Sequence, residues 1–143
     1  MIYSPTCQYA LRALIYLAAH EGAGPALGND IATEEKIPKQ FLSKILHTLR
    51  NKGLVVTTKG PGGGYQLSKA AAKISINDVV EAVDGKIDLN NICVLGLDKC
   101  SDKESCALHE RWKQFRTNYL NVISKMNLNQ AALAVDRKRK VSP

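Results

Sequence analysis

The chain has 143 residues, which suits one domain of ordinary size or a small head with an appended helix. Lys and Arg total 20 against 13 Asp and Glu, so the net charge is +7 and the pI is near 9.3. This basic excess favours an anionic partner, with nucleic acid ahead of a membrane surface. No stretch approaches the roughly 20 apolar residues of a membrane span, so we expect no membrane partner.

Three helical segments come first along the chain. Residues 7–20 carry apolar side chains at helical spacing and predict the first helix. Asn29 or Asp30 caps a second helix that runs to about Lys36, and Pro38 opens a third one. The predicted apolar side of the third helix consists of Phe41, Leu42, Ile45, Leu46 and Leu49.

Two short strands follow and enclose a glycine-rich turn. The β-branched run 54–58 predicts one strand, KGPGGG at 59–64 predicts the turn, and 65–68 predicts the second strand. Three helices followed by a hairpin are typical of a winged helix-turn-helix, in which the third helix enters the major groove and the hairpin forms a wing. The glycines do not form a phosphate-binding P-loop, because no GK[ST] sequence opens a helix after them.

Polar side chains at the start of the third helix lie outside its apolar side. Lys39, Gln40, Ser43 and Lys44 occupy the part of a recognition helix that reaches base edges. Because Gln can address adenine and Lys can reach guanine or phosphate, we predict double-stranded operator DNA as the partner. Lys59 enters the wing tip, from which it can pair with phosphate or insert into the minor groove. The alternative is an ordinary solvated helix face.

The C-terminal half combines a loop with a long helix. Ser75 or Asn77 caps a fourth helix that closes at Gly85. From Cys106 a long helix is predicted, with a heptad-like apolar seam that a symmetric dimer would bury. The alternative is that this helix packs back on its own head. The seam consists of Leu108, Trp112, Phe115, Tyr119, Val122 and Met126.

These segments predict a mainly α fold with a small β-hairpin, a winged helix-turn-helix followed by a long C-terminal dimerisation helix. The expected divisions are a DNA-binding head at 1–85, a cluster-binding loop at 86–105, a dimerisation helix at 106–130 and a basic, disordered tail at 131–143.

Three cysteines and a histidine form the pattern C-x6-C-x5-C-x2-H. They are Cys93, Cys100, Cys106 and His109, and the last two share one face at the start of the long helix. Thiolate and imidazole donors suit a closed zinc site or an iron–sulfur cluster, and the spacing leaves both open. Because Arg12 interrupts the first apolar segment and no cleavage site follows, we expect a cytoplasmic protein. In that compartment clustered cysteines bind metal or sense redox rather than form structural disulfides.

The sequence resembles the Rrf2 family of bacterial winged-helix regulators over nearly the whole chain to about residue 130. The segments that carry the resemblance are 3–18, 49–69 and 74–85, together with the cysteine loop. It implies a dimeric transcription factor whose long C-terminal helices cross. It also implies base reading by the polar residues of the third helix and entry of Lys59 into the minor groove. Some members carry a Glu at the place of Ser43, so the operator sequence stays open.

The resemblance also favours a [2Fe–2S] cluster over zinc, with Cys93, Cys100, Cys106 and His109 as ligands. The first gap has six residues here, where a similar member has five. Other members take the fourth ligand from the partner's first helix, at the position of Gln8. Cys7 is adjacent, and it is an alternative fourth ligand, a redox partner or a plain buried cysteine.

The leading functional prediction is a dimeric regulator that senses redox, iron–sulfur status or nitric oxide through its cluster. One alternative is a metal-free regulator switched by disulfides among Cys7, Cys93, Cys100 and Cys106. A less favoured alternative is a small electron carrier. No nucleophile–base pair or substrate fingerprint is present, so we expect neither an enzyme nor a small-molecule substrate.

Overall fold

A computed structural model of the chain describes residues 3–86, 92–97 and 101–141. These residues form six α-helices, a two-stranded antiparallel sheet and one short 3-10 helix, which confirms the predicted fold class. In chain order the elements are α1 (Pro5–Ala19), α2 (Gly28–Glu35), α3 (Lys39–Asn51), β1 (Val55–Thr58), β2 (Gly64–Leu67), a 3-10 helix (Ala71–Lys73), α4 (Ile76–Asp84), α5 (His109–Lys125) and α6 (Leu128–Val141).

The helix starts follow from the local sequence. The Ser4 hydroxyl caps α1 by accepting a hydrogen bond from Cys7 N at 3.0 Å. Ser75 caps α4 in the same way, and the Asp78 carboxylate accepts from Ser75 N to complete a capping box. Asp84, the last residue of α4, accepts hydrogen bonds from Ser4 N and Oγ. The start of α1 is therefore tied to the end of α4.

The first helix is the centre of the head, since it packs against α2, α3, α4, β2 and α6. The largest fully buried side chains around it are Leu14, Ile31, Leu46, Leu49, Val55, Ile74, Val79, Val80 and Leu128. One core prediction is wrong, because Phe41 is 55% exposed. At about 100° per residue, Phe41 falls between Ile45 and Lys44, at the edge of the buried arc of α3.

The hairpin is fixed to the head at its base. Its strands pair with Val55 opposite Leu67 and Thr58 opposite Gly64. Ala26, from the segment before α2, exchanges two backbone hydrogen bonds with Tyr65 at 2.9 and 2.8 Å. The base of the hairpin is therefore held both by the pairing of β1 with β2 and by the bridge from Tyr65 to Ala26, and the tip projects from it.

The C-terminal region differs from the prediction in two ways. The predicted helix over 106–130 is interrupted, because α5 ends at Lys125 and α6 starts at Leu128. Asn127 and Gln130 cap the new start reciprocally, with backbone-to-side-chain hydrogen bonds of 2.8 and 3.0 Å.

The predicted disordered tail is also wrong over its described part, which is helical to Val141. Leu128, Ala131 and Ala132 are buried, and α6 packs against α1. Arg139 adds an ion pair to Glu35 Oε2 at 2.8 Å. The basic composition concealed this helix, because its buried stripe consists mostly of alanine.

The corner between α5 and α6 is bonded to the head. Ile76 N donates to Met126 O and Leu128 N donates to Ile74 O, both at 2.9 Å. Because α5 also packs against α4, it is joined to the head by side-chain packing as well as by these backbone hydrogen bonds. Among the described helices, none combines the length and apolarity that crossing a bilayer requires.

Candidate nucleic-acid interface and candidate metal centre

The third helix presents a polar face to solvent. Its buried side chains are Leu42, Ile45, Leu46 and Leu49, which hold the helix on the head. The four predicted base-reading side chains, Lys39, Gln40, Ser43 and Lys44, are all exposed in its first two turns. Two of the four are cationic, so the face combines phosphate attraction with hydrogen-bonding groups.

The wing tip owes its shape to close backbone contacts. A Cβ at Gly63 would lie 2.2 Å from Thr58 O, and one at Gly64 would lie 2.3 Å from Ala26 O. Both positions therefore exclude any larger residue, whereas Gly60 and Gly62 have open space around them and adopt left-handed φ values of 85° and 75° that favour glycine. Lys59 is exposed where this turn begins. The tip accordingly offers one cation on a narrow, closely packed turn.

Cys93 lies in a tight turn whose backbone points toward its sulfur. Gly96 N donates to Cys93 O at 3.0 Å, and Gly96 has a left-handed φ of 72°. Hydrogen bonds from the backbone N–H groups of Leu95, Leu97 and Gly96 lower the pKa of the Cys93 thiol, with a contribution from the Cys106 side chain. These bonds favour a thiolate, which is the form that binds metals.

Trp112 connects this turn to α5. Its indole Nε1 donates to Ile92 O at 2.7 Å, directly before Cys93. From the sequence, Trp112 is predicted only as a residue of the seam, because an indole N–H gives no sequence signal for a backbone acceptor twenty residues away. The bond brings the Cys93 turn to the first turns of α5.

Cys106 and His109 stand together at the start of α5. His109 N donates to Cys106 O at 3.1 Å, and His109 is buried while Cys106 is partly buried. His109 Nε2 donates to Asp102 Oδ1 at 2.7 Å. This bond and those from Lys113 Nζ lower the pKa of the Asp102 carboxyl. A neutral histidine that donates from one ring nitrogen carries a lone pair on the other, which is the form that a metal ligand needs.

The side chains near the start of α5 include donor atoms of the kinds that bind soft metals. Cys93 and Cys106 are brought together by a side-chain hydrogen bond, and His109 follows within one helical turn. Two sulfurs and an imidazole are donors that suit zinc or an iron–sulfur cluster. Cys100 lies outside the described residues. These residue types suit such a group chemically. Among the described residues, however, the ligand atoms that lie within 4.8 Å of one another are those of Asp102, His109 and Glu110, so the two sulfurs and the imidazole do not converge on one point in this structure. Asp102, which the sequence alone does not single out, orients the histidine.

Cys7 has a different environment. It is fully buried in the core of the head, and it belongs to the first turn of α1. Burial, the Asp84 charge and a hydrogen bond with Asp84 raise the pKa of the Cys7 thiol to about 12. A thiol held neutral in this way is a poor metal ligand. These properties favour the plain buried cysteine among the three alternatives.

Three packed helices, an exposed polar third helix and a hairpin with a basic tip define a winged helix-turn-helix DNA-binding protein. The chain belongs to the Rrf2 family, described as iron-dependent transcriptional regulators, whose profile matches residues 3–133. It is therefore a DNA-binding transcriptional regulator and not an enzyme.

Curated and solved relatives agree with this family. The chain is 35% identical over 133 residues to the HTH-type transcriptional regulator IscR of Erwinia tasmaniensis, which covers 90% of this chain and 79% of that protein. It superposes on CymR, the global cysteine regulator of B. subtilis, with a TM-score of 0.78 at 27% identity, covering 92% and 95% of the two chains. The oxidized form of Staphylococcus aureus CymR gives 0.71 at 28% identity, covering 92% and 96%.

Proposed function

We propose that this chain is a homodimeric transcriptional regulator that reads operator DNA with α3 and the wing and holds an iron–sulfur cluster beside α5. The observation that carries the proposal is the 2.7 Å hydrogen bond from Trp112 Nε1 to Ile92 O, which holds the Cys93 turn against α5, where Cys106 and His109 also lie. The divisions at 1–85 and 86–105 serve as the reading head and the cluster-binding loop. The dimerisation unit starts near residue 106.

On the DNA side, each group has a separate task. Lys39 and Lys44 attract phosphates and reach guanine, and Gln40 addresses adenine with its amide. Ser43 is small enough to let the helix approach the bases. Lys59 follows the backbone into the minor groove from the wing. The net charge of +7 adds a general attraction to the duplex.

On the sensing side, Cys93, Cys100 and Cys106 provide three thiolates and His109 provides the fourth ligand. A bound [2Fe–2S] cluster would supply a centre that oxidants or nitric oxide can alter. The description of the family as iron-dependent and the identity to an IscR regulator support an iron centre over zinc. Asp102 fixes the orientation of the His109 ring through its 2.7 Å hydrogen bond.

The chain itself links the two functions. The three cysteines tie the loop to the foot of α5, and Trp112 holds the residue before Cys93 on the same helix. Because α5 packs on α4 and α6 packs on α1, a loop released from α5 changes how the two heads are posed. The heads must match the half-site spacing of the operator, so their relative pose sets affinity.

Purification without oxygen tests the cluster. We expect visible absorbance, with iron and acid-labile sulfide in equal amounts, and we expect all three signals to be lost in Cys100→Ala. Cys7→Ala is the matched control, because it removes a cysteine from the head core and should keep the cluster. A wild-type protein without iron or sulfide contradicts the cluster. Retained cluster in Cys100→Ala removes that residue from the ligands.

A second candidate function is a metal-free thiol switch, which the contact between Cys93 and Cys106 favours. The similarity to a CymR structure in its oxidized form supports the same candidate. Peroxide treatment of the iron-free protein, followed by mass spectrometry of non-reduced peptides, separates the two. A Cys93–Cys106 disulfide that changes DNA affinity supports the switch. Unchanged masses and affinity exclude the switch.

DNA binding is measured by gel shift on promoter fragments at increasing salt. A regulator that neutralises phosphates loses affinity steeply as salt rises. Ala variants of Gln40 and Lys44 should weaken specific binding. An electron carrier, the less favoured alternative, would bind neither the fragment nor its sequence variants.

A further inference from the structure

Phe41 is an exposed aromatic residue on the recognition helix. It lies in the first turn of α3 directly after Gln40, and 55% of its surface remains accessible. The other large apolar residues of α3 are at most 3% exposed. The ring is therefore not part of the core that holds the helix on the head.

The ring lies along a groove that adjoins the reading face. The groove has a volume of about 290 Å³ and is lined by Thr6, Phe41, Lys44, Ile45, Thr48 and Val83. Lys44, one of the proposed base-reading residues, forms part of the same wall. The groove thus places an apolar surface beside a cation that attracts the DNA backbone.

We propose that Phe41 is a specificity-determining residue that recognises the C5-methyl group of a thymine in the major groove. Thymine alone among the four bases presents a methyl group there, and apolar side chains, including Phe, read it by contact. The inference rests on the proposed assignment of α3 as the reading helix. It adds an apolar contact to a set of residues that otherwise reads DNA only through hydrogen bonds and charge.

The position of Phe41 separates this surface from the proposed dimer seam. The seam lies on α5, whereas α3 packs chiefly against α1, α2, α4 and β1. The groove is lined by α1, α3 and α4 and by no residue of α5 or α6. Its wall includes Lys44, which faces the DNA in the proposed complex. In that complex we expect a thymine methyl to contact Phe41 when the helix enters the major groove.

The experiment starts from a duplex that the full-length protein selects from a random pool. Each thymine is then replaced by uracil, which lacks only the methyl group, and the dissociation constant is measured by gel shift. We expect about fourfold weaker binding at the thymine that Phe41 contacts, the loss that corresponds to one buried methyl. Phe41→Ala should bind the thymine and uracil duplexes equally. Phe41→Leu should retain part of the difference.

The controls distinguish this inference from the function on which it rests. Gln40→Ala should weaken binding but still prefer thymine over uracil at the same position. If Ala variants of Gln40 and Lys44 bind like the wild type, α3 is not the reading helix and the proposed function fails. If those variants bind weakly while the wild type is indifferent to every uracil, only the role of Phe41 is overturned. A difference that persists unchanged in Phe41→Ala and Phe41→Leu also overturns it.

The uracil scan needs no protein variant, so a folding defect cannot obscure a negative result. Thermal unfolding of Phe41→Ala and Phe41→Leu shows whether their heads are folded. Half of the Phe41 surface is already exposed, so we expect both to melt close to the wild type.

Discussion

Lys59 concentrates the charge of the wing on one side chain. The turn from Lys59 to Gly64 is closely packed, and the lysine is its sole cation. Each phosphate contact contributes about 0.9 to the slope of log affinity against log salt. Lys59→Ala should therefore weaken DNA binding and reduce that slope by about 0.9 for each wing.

The matched control for Lys59 is Lys73→Ala. Lys73 is an exposed lysine on the 3-10 helix, outside both α3 and the wing. Gel shifts at several salt concentrations measure both slopes. Equal slopes for the two variants would mean that the wing does not contact phosphate.

Cys7 makes the stability of the head depend on pH. Its pKa is raised from 9.0 to about 12 in the folded protein, so the folded state keeps the thiol neutral after the unfolded chain has lost its proton. The contribution of Cys7 to the free energy of unfolding is therefore complete below pH 9. It falls as the pH rises from 9 toward 12.

Urea unfolding of the wild type and of Cys7→Ala at pH 8 and at pH 10.5 measures this fall in unfolding free energy. The lysines and tyrosines titrate in both proteins, so the difference between the two proteins isolates the contribution of Cys7. We expect a smaller loss of unfolding free energy between the two pH values in Cys7→Ala. An equal loss in both proteins would mean that Cys7 titrates normally in the fold.

Element boundaries could be predicted wherever a local signal fixes them. Pro38 precedes α3, Gly85 ends α4, and Ser75, one of its two predicted caps, starts it, because caps and turns are local interactions. The predicted cap of α2 at Asn29 or Asp30 is wrong, since α2 starts at Gly28 after Leu27, which makes no side-chain cap. The start of α6 was missed, since its buried face is mainly alanine and its docking depends on α1. A helix that docks through alanines in a basic segment shows no clear hydrophobic periodicity in its sequence.

In the candidate metal centre, too, some features are predictable from the local sequence and others depend on the folded structure. The residue types and spacing of Cys93, Cys106 and His109 were sufficient to propose a site. The amides around the Cys93 sulfur and the Asp102 hydrogen bond arise only from the folded loop. Phe41 was assigned to the core because periodicity does not resolve a residue at the edge of a buried arc.

The packing of α6 on the head depends partly on one ion pair. Arg139 reaches Glu35, whose side chain is only 2% exposed, at the end of α2. Arg12 Nε lies farther from the same carboxylate, at 4.0 Å. Arg139→Ala leaves a buried carboxylate with a weaker partner, so we expect a loss of about 1–3 kcal/mol of unfolding free energy.

Lys140→Ala is the control for Arg139, because Lys140 pairs with Asp136 on the exposed face of α6 at 2.9 Å. Exposed pairs of this spacing contribute only about 0.3–0.5 kcal/mol. Urea unfolding of both variants gives the comparison. Equal midpoints would mean that the buried apolar residues hold α6 without the ion pair.

At the scale of the whole molecule, the head and α5 expose surfaces of different chemistry, which suit different partners. The polar face of α3 suits DNA, whereas α5 leaves Leu108, Phe115, Val122 and Met126 between 40% and 52% exposed. Phe115 stacks between Trp112 and Tyr119, with ring centroids 5.8 and 6.1 Å away. A row of exposed apolar and aromatic side chains on one helix is a surface that a second copy would bury.

Phe115→Lys places a charge in the middle of this seam, and we expect a monomer by analytical ultracentrifugation. A monomer binds only one half-site, so its affinity for the full operator should fall at least about tenfold, since linked sites reinforce each other. Thr117→Lys adds the same charge on the exposed, opposite side of α5 and should remain a dimer. A wild-type protein that sediments as a monomer while it binds the operator tightly would contradict the seam. So would a Phe115→Lys variant that stays dimeric, because a lysine cannot be buried unpaired in an apolar contact without a large cost.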